Sequence, residues 1–589
     1  MVVGQRGRAA AGAVLLALAL AACTANPPPP IESTDSPRTT AVQPTRNTIV
    51  VAIDEVGVGF NPHLLADQSP TNAAVSTLVL PSPFRPIASA TRPGATDWVP
   101  DTSVLVSADV TATDPFTITY QLRNEAQWSD GAPIAAEDFR YLWQQMINDP
   151  GVVDPAGYEL ISDVSSSGGG KTVTVTMREP YPAWRELFTD LVPAHLLKDA
   201  PGGFAQGLTE TIPVSGAHFH IRSIDRGRDE ILLERNDRFW DQPATPDQIL
   251  MRRGGTSAQL ADSLRSDDAH VAEVHGGEAT RAQLSAIPGV RTGNVFQPRV
   301  LQVTLNGRVP ALGDVAVRGA LLGLLDPELL ATVAAGSASS STPARAQVLA
   351  PSDPGYAPTA PERLGADAAR AQLAAAGYDL VPYGTTPTPS PTAVASPTLT
   401  APPTLTVAPG PTLAMRIGAP QNDDTAVAVA NSVADLWRNA GIDATVQQLP
   451  SDDLFGSELA EGNLDAVVGW VRAGSDPATS LASRFGCPTS VSPAPADDGD
   501  SAVNAPSNLS GVCDPVLQPA IDAALRGEGD VAAVIAEAEP ALWRLATVLP
   551  VIQDTTVVAA GPGVSGVSLT GPIQTGIFAD AVGWTRVPQ

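Results

Sequence analysis

The stretch "YQLRNEAQWSDGAPIAAEDFRYLWQQM", Tyr120–Met146, passes from one type of backbone periodicity to another within a few turns of chain. It opens in "TITYQL" (117–122), where large and polar side chains alternate as a half-buried strand requires. It closes in "AAEDFRYLWQQMI" (135–147), with Glu137 and Asp138 where a helix's first turn favours negative charge. Phe139, Leu142, Trp143, Met146 and Ile147 then form an apolar stripe at helical spacing. The same two patterns recur outward from this point. "KTVTVTM" (171–177) alternates as a strand does, and "TIVVAIDEVGVGF" (48–60) reads as an opening strand with its exit loop. "EILLER" (230–235) begins another strand. "DVAVRGALLGLL" (314–325), "ADAARAQLAAAGY" (366–378) and "AVAVANSVADLWRNAGI" (426–442) are helical, the last two stopping at Gly377 and Gly441. The fold class is therefore α/β.

At 589 residues the chain exceeds what one hydrophobic core organises, so two or more lobes are expected. Acids outnumber bases by 62 to 35, a formal charge of −27, which lacks the basic face that nucleic-acid binding needs. Arg6 and Arg8 precede the apolar run "AAAGAVLLALALAA", and Leu20-Ala21-Ala22-Cys23 resembles a bacterial lipobox. Residues 1–22 then read as a lipoprotein signal peptide and Cys23 as the lipidated residue, anchoring the protein to the membrane. Residues 23–47, rich in Pro, Ser and Thr, read as an extended tether. The two other cysteines, Cys487 and Cys513, are expected to form a disulfide closing the excursion 488–512. A Pro/Thr-rich insertion, placed at 383–412, has no periodic apolar face and reads as disordered or extended. It interrupts a lobe, because the helix before it and the strand after it both need covering.

No catalytic or metal constellation emerges. Gly170-Lys171-Thr172 follows Ser165 where a phosphate loop needs Gly, and precedes a strand where that loop needs a helix. A glycine-rich hairpin turn explains it better. Ala217-His218-Phe219-His220 offers two imidazoles on one strand face but no third ligand. "GVSGV" (563–567) lacks the second Gly of a nucleophile elbow, and Asp497-Asp498-Gly499-Asp500 lacks the spacing of a calcium loop. "EVGVGF" (55–60) is no dinucleotide fingerprint. Neither metal nor cofactor is expected.

The opening stretch follows the pattern L-R-x-x-x-x-(F/W)-S-D-G-x-P-(I/V)-x-A-x-D-(F/V) from Leu122 to Phe139. Further blocks follow in order: "REPYPAWRELFTDLVPAHLL" (178–197), "EILLERNDRFWDQPATPDQI" (230–249), "LNGRVPALGDVAVRGALLGLLD" (305–326), "ADAARAQLAAAGYD" (366–379) and "DLWRNAGIDATVQQL" (435–449). Together they resemble the family 5 extracellular solute-binding proteins, the oligopeptide and dipeptide binders of ABC importers. The resemblance implies a periplasmic-binding-protein-like two-lobed fold with an extra subdomain, mixed sheets flanked by helices, and a hinged cleft. It implies a first lobe from 48–75, 211–300 and 556–589, an extra subdomain at 76–210, and a second lobe from 301–555. Hinge crossings are expected near Val300–Leu305 and Val551–Val558. "GVGFNPHLLADQSPTNAAVSTLVLPSPFRPI" (57–87), "DPAGY" (154–158), "PYPAWRELFTD" (180–190) and "ATVLPVIQDTTVVAAGP" (546–562) resemble an actinobacterial lipoprotein branch of the family. That branch implies a monomeric, non-catalytic protein on the outer face of the cell membrane. Its expected partners are a phosphatidylinositol mannoside lipid or a membrane mannosyltransferase of lipomannan and lipoarabinomannan synthesis. Two other readings stay open: an importer receptor for peptides or other small solutes, and a ligand-free scaffold acting on membrane enzymes.

The sequence departs from the family at "AVVGWVRAGSDP" (466–477). Oligopeptide binders place an Asp three residues after this Trp to receive the peptide's amino terminus; here Ala473 holds that position. A desolvated ammonium there would lack its counter-charge. Trp470 offers a flat face to a sugar ring and Arg472 a bidentate fork to phosphate. The same two residues also suit a structural role, Trp470 packed within its lobe and Arg472 paired with a nearby Asp. Asp67 and Gln68 are further candidates, expected on the family's other cleft-lining strand. A second departure lies in Val214-Ser215-Gly216-Ala217-His218-Phe219, which keeps one Gly of the family's turn and loses its Pro.

Overall fold

The computed structural model describes residues 47–336, 342–380, 411–450, 453–488 and 508–586. Its strands in the first part of the chain are β1 (Thr48–Ile53), β2 (Phe84–Ala88), β3 (Thr96–Pro100), β4 (Leu105–Thr113), β5 (Phe116–Leu122), β6 (Ile161–Ser167) and β7 (Thr172–Met177). Then follow β8 (Phe219–Asp225), β9 (Glu230–Arg235), β10 (Gln248–Arg253), β11 (Val271–Val274) and β12 (Arg291–Leu305). The remainder supplies β13 (Thr342–Pro343), β14 (Ala414–Pro420), β15 (Asp443–Leu449), β16 (Ala466–Arg472) and β17 (Val548–Ala560).

β1 is buried at all six positions, as a strand covered on both faces must be. It pairs in parallel with β10 and β11 and sits inside an eleven-stranded mixed sheet of order β15-β14-β16-β12-β17-β11-β1-β10-β9-β8, with β13 added on β17. β12 and β17 are the long members, antiparallel to each other over most of their length. The ends of that ladder lie in different halves of the sheet. Val557–Ala560 of β17 runs between Arg291–Asn294 of β12 and β11, and Val300–Leu305 runs beside β16. Between them the register breaks: Phe296 pairs with Thr555 and Val300 with Gln553, leaving Gln297, Pro298 and Arg299 bulged opposite Asp554. A bulge of this kind bends both strands.

Each half has its own hydrophobic cluster. The first gathers β1, β9 and β10 with Trp128, Phe139, Phe188 and Trp184. The second packs Leu301, Val303 and Leu305 of β12 against Ile417 of β14, Trp470 of β16 and Trp437 of the helix Asp424–Asn439. Ala369 and Leu373, before the Pro/Thr insertion, share this cluster with Leu413 and Met415 after it. The insertion therefore leaves and re-enters one core. The helices around it stop at Ala376 and Ala440, and Gly377 and Gly441 follow with φ of 93° and 96°, left-handed positions where a side chain would be strained.

The opening stretch stands beside a separate antiparallel sheet of order β4-β5-β7-β6. β6 and β7 are joined through Gly168–Gly170, all at positive φ, so the Gly170-Lys171 segment is a hairpin turn. Lys171 is buried, and its ammonium donates to the carbonyls of Ala126 (2.7 Å) and Ile134 (2.8 Å), tying the hairpin to the WSDG turn. Asp138, in the first turn of the helix Ala136–Asn148, accepts the Ala135 N–H (2.9 Å) and the Ala194 N–H (3.1 Å). Burial pushes its carboxyl up to about 6, with those backbone donors opposing. In the turn that lacks the family's Pro, Ser215 takes over the anchoring. Its hydroxyl donates to the Val79 carbonyl (2.8 Å), and its N–H donates to Ser129 Oγ (3.0 Å). His218 stands just before β8 and tilts against Phe239, with ring centroids 4.1 Å apart.

Cys487 and Cys513 form the expected disulfide, with Cα atoms 5.1 Å apart. One expectation is corrected. Asp67 and Gln68 lie on no strand: Leu65–Asp67 is a single 3-10 turn and Gln68 caps it. The Asp67 carboxylate accepts the Asn61 N–H (3.0 Å), and Ser69-Pro70 at once begins the helix Pro70–Val79, which leaves no extended chain to pair. The signal peptide with Cys23, residues 23–46 of the tether, 383–410 of the insertion, 489–507 of the disulfide loop and the Asp497–Asp500 motif lie outside the described residues. Among the described residues no helix is long and apolar enough to cross a membrane.

Candidate functional site

The two halves of the sheet meet over a cavity of about 450 Å³. The first half contributes Asp54 and Glu55 at the end of β1, the 66–69 turn, and Glu273 and His275 at the end of β11. The bulged crossing contributes Arg299 and Asp554, and the second half contributes Asp423, Asp424 and Trp470. Seven carboxyl groups line the cavity, counting Asp67, against Arg299 and His275.

The two cations are held by the crossing itself. Arg299 Nε donates to Asp554 Oδ2 (2.7 Å) and its Nη1 to the Gln68 carbonyl (2.7 Å). His275 bridges Asp54 through Nδ1 (2.7 Å) and Asp554 through Nε2 (2.7 Å). Burial alone would lower the imidazole; the charge of Asp554 and the hydrogen bonds to both carboxylates outweigh it and push His275 up to about 10. It is an imidazolium at neutral pH, with both ring nitrogens donating. Burial would likewise raise Asp554, but Arg299 and His275 hold it well below the usual carboxylate range. Glu273 is buried and pushed up to about 7, while the Gln297 amide donating to it at 3.0 Å opposes the shift. Glu55 is raised by burial and then by the negative charge of Asp423, Asp54 and Asp229.

Trp470 reaches the cavity edge but is 5% exposed. The Arg299 guanidinium lies 4.0 Å above its ring, a cation–π contact, and its Nε1 donates to Asp423 Oδ2 (2.7 Å). The other oxygen of Asp423 accepts the Ala426 N–H (2.9 Å) and caps the helix Asp424–Asn439. Asp67 and Gln68 line the same cavity, and the Gln68 amide donates inward to the carbonyls of Pro62 (2.8 Å) and Leu64 (3.0 Å).

Arg472 lies apart from these residues. It lines a recess of about 60 Å³ with Asp154, Glu186, Ser475 and Gln574. Its side chain makes no hydrogen bond or close ion pair among the described residues, but its charge acts on the carboxyls of Asp154 and Glu186 across the recess, against the rise that burial gives them. Glu186, pushed up to about 8 by burial and then by the charge of Asp476, accepts the Trp98 indole N–H (3.1 Å) and the Asp476 N–H (3.0 Å). Ala473, at the family's carboxylate position, is buried and donates its N–H to the Pro298 carbonyl (2.9 Å). Sequence reasoning missed Arg299, Asp554, His275 and Asp423. The signal for two of them was present: Gln297-Pro298-Arg299 sets a Pro within a strand, and Gln553-Asp554 interrupts a largely apolar one.

Chemically, the cavity is an array of hydrogen-bond acceptors whose two cations are already paired. It suits a neutral ligand rich in hydroxyl donors and repels an anion from its interior.

Residues 95–492 match the family model described as "Bacterial extracellular solute-binding proteins, family 5 Middle". The chain is a family 5 extracellular solute-binding protein. As such it is 50% identical to the "Probable monoacyl phosphatidylinositol tetramannoside-binding protein LpqW" of Mycobacterium tuberculosis, over 98% of this chain and 97% of that one. The "Oligopeptide-binding protein OppA" of Mycobacterium bovis is 27% identical over 44% of each chain. Among solved family 5 folds, the oligopeptide-binding protein AppA of Bacillus subtilis superposes with a TM-score of 0.66 at 13% identity, covering 93% of this chain and all of that one. The periplasmic EDTA-binding protein EppA superposes with a TM-score of 0.62 at 21% identity, covering 92% and 97%.

Proposed function

We propose that this family 5 protein is a non-catalytic, lipid-anchored binding protein of the cell envelope. Its ligand is the mannosylated head group of a phosphatidylinositol lipid, which it presents to, or withholds from, membrane mannosyltransferases of lipomannan and lipoarabinomannan synthesis. The observation that carries the reading is the 50% identity, across nearly the whole of both chains, to a protein named for binding such a lipid. The cavity agrees with it in kind. Mannose presents hydroxyls, and Glu55, Asp423 and Asp424 offer acceptors on both sides of the cleft. The same acidity orients the ligand, with the sugars inside and the phosphate toward the rim. Trp470, Asp67 and Gln68 belong to this site, whereas Arg472 does not border it. Ala473 weighs against a peptide, since no carboxylate stands at that position to receive an amino terminus.

Titrating the purified protein with phosphatidylinositol tetramannoside and, separately, with a mixture of two- to nine-residue peptides tests the reading. Saturable heat with the mannoside and none with the peptides is expected. Peptide binding with no response to the mannoside would overturn it.

A further inference from the structure

Val58, Ala66 and Asp67 line the acidic cavity on one side and a second chamber, of about 400 Å³, on the other. The second chamber differs in chemistry. Leu64, Pro150 and Ala205 from the first half of the molecule face Pro450 and Phe455 from the second, and Gln206, Thr209 and Gln421 are its uncharged polar lining. Among the described residues no Lys, Arg or His lines it, and its carboxyl groups are those of Asp67 and Asp149. The Asp67 carboxylate accepts the Asn61 N–H, and burial pushes Asp149 up to about 6. The wall is closely fitted, because a Cβ on Gly151 would lie 2.7 Å from the Cβ of Phe455.

A ligand that fills both chambers must be rich in hydroxyls at one end and apolar at the other. Its two ends must also join without an anionic group, because a phosphate at the partition would sit beside Asp67 and near the carboxylates of the first cavity, where Arg299 and His275 are already paired, while among the described residues no cation lines the second chamber. We propose that the second chamber holds an alkyl or acyl chain carried directly on the sugar bound in the first. The inference rests on the sugar-binding reading above and deepens it: the ligand is taken up as a glycolipid, head and chain together. Walls from both halves close on the chain, so burying it favours the closed cleft.

Calorimetric titration of the full-chain protein with methyl, octyl and dodecyl α-mannobioside, each below its micelle concentration, tests this. Octyl and dodecyl mannobioside are expected to bind at least about tenfold more tightly than the methyl form, a conservative figure for burying several methylenes. Ala205→Trp fills the second chamber without bordering the first; it should reduce the octyl compound to the methyl value and leave the methyl value unchanged, which also reports that the variant is folded. Equal affinities for methyl and octyl forms would overturn the chain site while leaving the sugar site standing. An octyl preference that survives Ala205→Trp places the chain elsewhere and overturns it as well. If no mannobioside binds, both readings fall. The chain-length series needs no variant, so a misfolded Ala205→Trp protein does not shield the proposal.

Discussion

Asp554 binds both cations that line the cleft. It is 4% exposed and holds Arg299, itself 11% exposed, on one oxygen and His275 on the other. Asp554→Asn takes the carboxylate partner from buried Arg299 and one of two from His275, and removal of one partner from a buried pair costs about 3–5 kcal/mol; chemical denaturation should show a loss of that order. The pH dependence has a definite sign. His275 rises from 6.5 to about 10 on folding, so its stabilisation is complete below pH 6.5 and is lost as pH rises toward 10. Glu273 rises from 4.5 to about 7, so its burial destabilises increasingly as pH climbs through that window. Both act in one direction, and Asp554, held low, adds stability that is lost only in acid. Melting temperature should therefore fall from pH 6.5 to 10, and His275→Gln should flatten that fall. For the ligand, Asp423→Asn removes an acceptor and loosens Trp470, so mannoside affinity should drop about tenfold or more, as for a hydrogen bond to a charged group. Arg472→Ala, at its separate recess, should leave that affinity unchanged by calorimetry.

Elements were more legible in the sequence than the site they build. Alternation in "TITYQL" and the stripe on "AEDFRYLWQQM" report burial directly, because the backbone period fixes which side chains face the core. The disulfide was legible for a similar reason: two cysteines flanking a Pro/Ser-rich excursion have few other uses outside the cytoplasm. Closing a loop with a sequence separation of 26, it should stabilise by about 3.5 kcal/mol on the chain-entropy account, so Cys487→Ser with Cys513→Ser should lower the unfolding midpoint accordingly. Asp67 and Gln68 were expected on a strand because the family resemblance places a cleft-lining strand there. A local turn closed by the Asn61 N–H overrode that expectation. The cleft network was beyond reach, since Asp54, His275, Arg299 and Asp554 come from four separate segments that only the sheet order brings together.

The whole molecule is organised by the long ladder of β12 and β17. Any opening of the cleft must bend that ladder, and the bulge at Gln297–Arg299 is where it already departs from regular pairing. A ligand that bridges the halves should therefore raise the melting temperature in proportion to the logarithm of its concentration. The topology has another consequence. Phe296 pairs with Thr555 and Val300 with Gln553, so the chain departs from the first half and returns to it at adjacent points. Everything from Val300 to Gln553 is thus a cassette with neighbouring ends. Such a cassette can be exchanged between relatives at two adjacent junctions, or given new termini within it, without rerouting the sheet around β1. Diversification of what the cleft recognises could proceed through that one segment while the half at the chain termini keeps its fold.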